Sequence, residues 1–241
     1  MISAFFNTVF YNPIYNALVA IVAVLPGSDV GIAVILLTII IRIILLPFSI
    51  SAARTQRAMK ILEPKIKELK ENNKNNKEKE ALETLALYRE ARVNPFASIL
   101  MVFIQIPVLL ALYWVFSDQA FSVLETARLY VFTPVPYAAS AEFLGLISVT
   151  SKSVVLAVLA GATQFLQAHM ALKGTMSPSH NSVKGDFQKV ISMQLKYVFP
   201  FLIGIISYTT SGAVALYFIT TNIAGSVQEW YVRRTVSKEQ N

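Results

Sequence analysis

Long apolar stretches constrain the fold of this sequence more than any other feature. A helix needs about 20 predominantly apolar residues to cross the ~30 Å hydrocarbon core of a bilayer. Four stretches reach this length, and a fifth is shorter. In the fifth stretch, Lys196 lies near the start, where a lysine can reach the interface. The same stretch contains Pro200, and membrane helices tolerate proline. We therefore predict an all-α polytopic membrane protein with five transmembrane helices. In chain order, the predicted spans are Val30–Ile50, Phe96–Phe116, Ser153–Leu172, Ser192–Tyr208 and Gly212–Trp230.

The composition agrees with this interpretation. Hydrophobic residues make up 55% of the 241 residues and charged residues 15%, whereas an average soluble domain has about 25% charged residues. This is more apolar surface than one soluble core would bury, so the chain needs lipid. The chain has no cysteine, which excludes disulfides and cysteine-based metal sites.

The positions of the basic residues predict the orientation of the spans. The segment 51–95 contains eleven of the 21 lysines and arginines, and the loop 173–191 and the tail 231–241 contain three each. Residues 1–29 contain none, and the 117–152 connection contains two. Because lysine and arginine accumulate in cytoplasmic loops, we expect a cell-membrane protein whose N-terminus lies outside and whose C-terminus lies in the cytoplasm.

The segment 51–95 is predicted to be a cytoplasmic helical hairpin. Its charge is dense, its apolar residues thin to a helical stripe, and the asparagine-rich run at 72–76 breaks the pattern. A thin stripe offers little to anchor the hairpin, so we expect a mobile element that meets clients or targeting factors. A solvated positive-inside loop with no further role is the alternative.

The first 29 residues allow two interpretations. Apolar residues recur at helical spacing from Phe6 to Ile21, but the unbroken apolar run Ala17–Leu25 is too short to span. We expect an amphipathic helix lying in the extracytoplasmic interface. An additional span is the alternative.

Arg42 is the one charge well inside a predicted span, about 18 Å along the helix from Val30. Arginine at mid-membrane costs roughly 3 kcal/mol on insertion scales and over 10 in simulations. None of the five apolar cores contains Asp or Glu, so water and neutral polar groups remain as its surroundings. These groups are Thr38, one turn earlier, and Gln105, Gln164, Gln167, Thr220, Thr221 and Asn222.

Together, these polar residues predict a hydrated groove that presents a positive charge inside the bilayer. Each neutral residue taken singly is also typical of hydrogen bonding between membrane helices. For Arg42, snorkelling to the cytoplasmic headgroups is the alternative.

Other chemistry finds little support in the sequence. His169 and His180 have no neighbouring carboxylates or cysteines that would complete a metal site. No hydrolase, zinc-protease or phosphate-loop motif is present, and a proton-coupled pump would need intramembrane carboxylates. We therefore expect neither catalytic residues nor a metal or cofactor, and a protein that is not an enzyme.

Several motifs resemble those of the YidC/Oxa/Alb membrane-protein insertases. The resemblance begins with Gly31–Thr38 and Arg42–Pro47 and continues through Glu63–Leu69. It resumes from Tyr88 to Pro95 and in Gln105–Trp114. It ends with Leu216-Tyr217-Phe218 and Asn222 in the last predicted span, so it covers about residues 28–232.

This resemblance implies a function and a set of groove residues. It implies an insertase whose groove opens to the cytoplasm and to lipid, with Arg42 at the position of the family's arginine and Tyr217 among the groove residues. Hydrophilic parts of a nascent client would enter the groove while its apolar segment leaves along the third and fifth spans, without nucleotide hydrolysis. The implied partners are membrane-protein clients and the bilayer, then the Sec translocon, a ribosome or the signal recognition particle pathway, with no direct nucleic-acid binding. A small transporter or channel and a non-catalytic assembly factor are the alternatives.

The predicted orientation is testable with single cysteines, because the chain has none of its own. We expect Asn75→Cys to react with a membrane-impermeant thiol reagent only after the cytoplasmic side is opened. Thr210→Cys, in the turn between the last two predicted spans, serves as the outside control and should react in intact cells. Labelling at position 75 in intact cells would contradict the orientation.

Overall fold

The computed structural model describes residues 2–74, 76–91, 97–117, 126–172 and 193–238. Several residues named in the predictions lie outside these ranges. They are Asn75, the end of the predicted hairpin at 92–95, the first residues of two predicted spans (Phe96 and Ser192), residues 118–125, the loop 173–191 with His180, and the last residues 239–241.

The described chain is predominantly helical, which confirms the all-α expectation in its coarse form. The helices are α1 (Ile2–Phe6), α2 (Asn12–Val24), α3 (Val30–Asn72), α4 (Lys77–Glu90), α5 (Ala97–Ser117), α6 (Val154–Leu172), α7 (Phe199–Thr209) and α8 (Gly212–Lys238). Wider π-helical turns at Asn7–Tyr11 and Gln194–Val198 precede α2 and α7, and short 3-10 turns occupy Pro26–Ser28 and Thr126–Arg128. The strands β1 (Glu142–Phe143) and β2 (Ile147–Ser148) form a small antiparallel hairpin.

Among the described residues, three helical stretches are long and apolar enough to cross a membrane. They are Ser3–Val24, Val30–Ala52 and Val154–Leu172, and Gln105–Phe116 is a shorter apolar helix. The first of them covers the segment for which an interfacial helix was expected. Length and composition do not distinguish the two positions, so five spans and an interfacial N-terminal helix remain predictions.

Helix α3 contains both the first predicted span and the start of the predicted hairpin. It comprises 43 residues and includes Pro47 and Pro64. The change from apolar to charged residues therefore occurs within one helix, and the boundary between span and hairpin at 50/51 stays a prediction. A helix satisfies most of its own backbone groups in water and in lipid alike, so a change in composition does not by itself end it.

The chain divides into two compact units. The first comprises Met1–Ile44 with Gln105–Trp230, and the second comprises Leu45–Ile104 with Tyr231–Asn241. The core of the first unit is built from α2, the first half of α3, α5, α6, α7 and the start of α8. Its most buried large side chains include Tyr15, Leu18 and Tyr217, so the N-terminal segment contributes to this core.

Small residues set the packing of α6 against α7. A Cβ added at Gly161 would lie 3.1 Å from the carbonyl oxygen of Pro200, and one added at Gly204 would lie 3.6 Å from that of Ala157. Such close approach of two backbones is the usual way in which membrane helices associate, since lipid supplies no hydrophobic force between them.

The connection between α5 and α6 caps the first turns of two helices. At the start of α3, Val30 N donates to Ser140 O of the connection (3.1 Å), and Ile32 N donates to Asp29 Oδ1, directly before the helix (3.0 Å). At the start of α8, Gly212 N donates to Ser151 O (2.9 Å). The first N–H groups of a helix have no partner within the helix, so these contacts both satisfy them and hold the connection in place.

Asn16, in α2, makes the main hydrogen bonds between the N-terminal helix and this connection. Only 4% of its surface is exposed. Its Nδ2 donates to Arg128 O (3.0 Å), and its Oδ1 accepts from Tyr130 N and Thr133 Oγ1, both at 2.7 Å. A buried amide that uses both of its ends in this way is fully engaged.

In the second unit, the asparagine-rich run forms the turn between α3 and α4. Asn76 caps α4 by accepting from Lys79 N (3.0 Å). Asn73 Nδ2 donates to Leu69 O (3.0 Å) and to Glu83 Oε2 (2.7 Å), so it joins the end of α3 to the middle of α4. The turn chemistry thus agrees with the residue types that favour helix termini.

Asn16→Ala should lower the free energy of unfolding by about 2–4 kcal/mol, since each buried partner left without a hydrogen bond costs about 1–3 kcal/mol. Thermal unfolding of the purified protein in detergent, followed by circular dichroism, measures the change. Asn7→Ala is the matched control, because the Asn7 side chain makes no hydrogen bond to any described residue. Equal stabilities of the two variants would contradict the assigned role of Asn16.

Candidate functional site

Arg42 lies on α3, at the centre of the predicted site, and is half-buried. Its neighbours on the helix, Ile39, Ile40, Ile43 and Ile44, expose apolar side chains. Among the described residues, no carboxylate lies within ion-pair distance of its guanidinium. The charge is therefore held in apolar surroundings with neutral polar partners.

Tyr217 on α8 is the polar group whose electrostatic interaction with Arg42 is most direct. Its hydroxyl interacts electrostatically with the guanidinium, and only 2% of the residue is exposed. Gln105 on α5 donates a hydrogen bond from Nε2 to the same hydroxyl. Tyr217 thus joins α8 to α5 through Gln105 and lies near Arg42 of α3.

Thr38 precedes Arg42 by one turn, as the sequence requires, but it is not a free polar group. The residue is buried, and its Oγ1 donates to Val34 O at 2.6 Å. With its proton donated within its own helix, Thr38 retains only acceptor capacity toward a neighbour.

Asn222 joins two helices. It is 1% exposed, and its Nδ2 donates to Ala160 O (3.3 Å) and to Thr163 Oγ1 (3.2 Å), so α8 is tied to α6. This is the role of a polar residue that holds membrane helices together. Thr163 was not singled out from the sequence, and only its position one turn from the small residue Ala160 could have indicated it.

The two glutamines of α6 are placed differently from each other. The amide of Gln167 lies directly against Gly225 of α8, in the space that a Cβ there would occupy. Gln164 is half-buried and makes no hydrogen bond to any described residue. The seven predicted residues thus form one cluster around Tyr217 (Arg42 and Gln105), one α6–α8 contact region (Gln167 and Asn222), and two residues outside both, Thr38 and Gln164.

The part of the chain that the structure describes contains no candidate metal site. No group of three or more His, Cys, Asp or Glu side chains there could hold a metal ion. What the cluster around Tyr217 offers is one positive charge, one buried hydroxyl and one amide within a helical core. Such a set can attract and hydrogen-bond an anionic or polar group, but it includes no general base or nucleophile of shifted reactivity.

Comparison with known proteins adds a family to this geometry. The chain matches the family described as "60Kd inner membrane protein" over residues 21–239, a range that contains all seven predicted site residues. The curated relatives found are membrane-protein insertases. The membrane protein insertase YidC of Fusobacterium nucleatum subsp. nucleatum is 29% identical over 233 residues, covering 92% of this chain and 97% of that protein.

Two further relatives carry the same name. The YidC of Clostridium perfringens is 29% identical over 242 residues, which cover 95% of this chain and 93% of the relative. The YidC of Francisella tularensis subsp. novicida is 30% identical over 204 residues, covering 85% of this chain but 32% of that longer protein. The similarity therefore extends over most of this chain in relatives of different length.

The contact between Gln105 and Tyr217 is testable by a double-mutant cycle. Tyr217→Phe should lower the free energy of unfolding by about 1–2 kcal/mol, because it leaves the Gln105 amide without its acceptor. Adding Gln105→Leu should restore part of this loss, since removing both partners leaves no unpaired polar group. Thermal unfolding in detergent gives the coupling. Tyr208→Phe is the control, because Tyr208 is exposed and makes no hydrogen bond to a described residue; additive losses would contradict the pairing.

Proposed function

This chain belongs to the 60Kd inner membrane protein family, and from that premise we propose how it acts as a membrane-protein insertase of the cell membrane. The proposal is that Arg42 attracts the acidic or polar part of a client into the bundle. The observation that carries it is a half-buried arginine that has no carboxylate partner among the described residues. A charge without a resident counterion is available to a client's counterion.

The magnitudes agree with this role. Placing an acidic side chain at mid-membrane costs about 2.5–3.5 kcal/mol on insertion scales. Two opposite unit charges about 4 Å apart attract each other by about 4 kcal/mol at the effective dielectric near a protein surface. One arginine can therefore offset the cost of one client carboxylate, while the transfer of the client's apolar segment into lipid drives the process.

Tyr217 and Gln105 keep this charge in the bundle. A guanidinium with no neutral acceptor nearby would extend toward the headgroups. The Tyr217 hydroxyl, fixed by Gln105, presents an oxygen on the side of Arg42. In this mechanism the tyrosine holds the guanidinium between clients, and a client carboxylate then binds through the planar fork.

The apolar segment of the client would leave along α6 and α8. Both helices carry exposed large apolar side chains, among them Val158 and Leu166 on α6 and Ile223 and Val227 on α8. An apolar surface next to lipid gives a client helix a continuous environment while its polar flank is held at Arg42. No bond is made or broken, so the mechanism needs no cofactor.

The orientation and the further partners belong to the same proposal. The basic residues support an N-terminus outside and a C-terminus in the cytoplasm. With this orientation the charged part of α3 after residue 50 and α4 would lie on the side where clients emerge, and their exposed charge suits a first contact with clients, a ribosome or a targeting factor. Action with the Sec translocon is compatible with the same groove.

Arg42→Ala should reduce insertion of acidic-tailed, single-span clients by about tenfold or more, since about 1.4 kcal/mol corresponds to a factor of ten. Arg42→Lys should retain part of the activity, because it keeps the charge but loses the bidentate fork. Protease protection of the client tail in liposomes that contain the purified protein measures insertion.

Two controls test whether the effect is specific to Arg42 and to an acidic client tail. Lys152→Ala removes an exposed positive charge from the α5–α6 connection and should leave insertion unchanged. A client with a neutral tail should be nearly indifferent to Arg42→Ala. If Arg42→Ala folds and inserts acidic-tailed clients at the normal rate, the attractor role is wrong.

A further inference from the structure

The tip of the β-hairpin between α5 and α6 exposes two leucines. The register pairs Phe143 with Ile147, so the tip consists of Leu144, Gly145 and Leu146. Leu144 is 60% exposed and Leu146 is 83% exposed. Turn residues at such a tip are usually small or polar, so two large exposed apolar side chains are unusual there.

The backbone at the tip strengthens this point. Leu144 has φ +54° and Gly145 has φ +68°. Positive φ suits glycine or asparagine and is unfavourable for leucine. Leu144 therefore occupies this position in spite of its backbone conformation, and what it contributes is its exposed side chain.

The tip is fixed at the beginning of α3. Leu144 N donates to Asp29 Oδ2 at 2.7 Å, and a Cβ added at Gly31 would lie 2.6 Å from Cδ2 of Phe143. Val30–Ala52 is one of the helical stretches long and apolar enough to cross a membrane. The hairpin tip therefore lies beside the N-terminal end of a helix that is long and apolar enough to span a bilayer.

We propose that the tip Leu144–Leu146 inserts into the lipid interface at the N-terminal end of α3 and anchors the connection there. The partner is the headgroup–acyl boundary of the bilayer, which accepts leucine side chains while the neighbouring Glu142 stays in water. The same connection carries Val131, Phe132 and Tyr137, all almost fully exposed, side chains that fit an interfacial environment. The proposal depends on α3 crossing the membrane and is independent of insertion activity.

The absence of native cysteine allows a depth measurement with single labels. An environment-sensitive fluorophore is attached to Leu146→Cys or, as the matched control, to Glu142→Cys, an exposed position on the same hairpin. The full-length proteins are placed in phosphatidylcholine–phosphatidylglycerol liposomes, some of which contain lipids with a shallow nitroxide. The label at 146 should emit at shorter wavelength and be quenched by the nitroxide, whereas the label at 142 should show the emission of a probe in water.

Labels that emit alike at the two positions, whether in water or in lipid, would overturn the proposal. A signal at 146 that disappears at a higher lipid-to-protein ratio would indicate a second copy of the chain as the partner and would also overturn it. Leu144→Gly suits the positive φ and keeps the hairpin folded while removing one anchor. This change should weaken the quenching at 146, and unchanged quenching would overturn the assignment of Leu144 as an anchor.

Discussion

Hydrocarbon offers a protein no partner for a hydrogen bond, and the first unit of this structure follows from that constraint. Helices satisfy their own backbone except in the first and last turns. The α5–α6 connection supplies partners for two of those turns: Ser140 at the start of α3 and Ser151 at the start of α8, while Asp29, directly before α3, accepts from Ile32 N. A connection that completes two helix termini is part of the fold, although its described residues form only a 3-10 turn and a two-stranded hairpin.

Side chains obey the same constraint. Asn16 and Asn222 are both buried, and each donates to groups on another part of the chain. Asn222 joins α8 to α6, and Asn16 joins α2 to the α5–α6 connection. At a different contact, the small residues Gly161 and Gly204 let α6 and α7 lie close together.

Arg42 stands apart from this rule, since its charge has no carboxylate partner among the described residues. The buried polar atoms that lack a hydrogen bond in the described ranges are all neutral (Asn12 Oδ1 and the hydroxyls of Ser207, Ser211 and Thr221), whereas Arg42 carries a charge, with the Tyr217 hydroxyl near it. Functional sites are commonly the places where local rules of stability are broken. In the proposed mechanism, a client's acidic group completes the pair with Arg42.

Much of the fold could be predicted from the sequence, because apolar length and charge are properties of the residues themselves. The apolar stretches, the break at 72–76 and the isolation of Arg42 are all visible in the chain. Tyr217 entered only through the resemblance to a family, since a tyrosine in an apolar helix has no distinctive pattern. Asn16 lies off the apolar face of the predicted interfacial helix, and its partners at 128–133 are too distant in the chain for a local pattern to indicate them.

The sequence by itself determined that this chain is a helical membrane protein with a charge out of place, because lipid thickness and the cost of burying charge act on each segment separately. Tertiary structure decided which polar residues meet. Gln105 and Tyr217 are 112 positions apart, and Asn16 and Thr133 are 117 apart; no local pattern connects them. It also decided that one helix, α3, contains the change from apolar to charged residues, because a helix satisfies most of its own backbone groups in water and in lipid alike, while side chains differ in which of the two they favour.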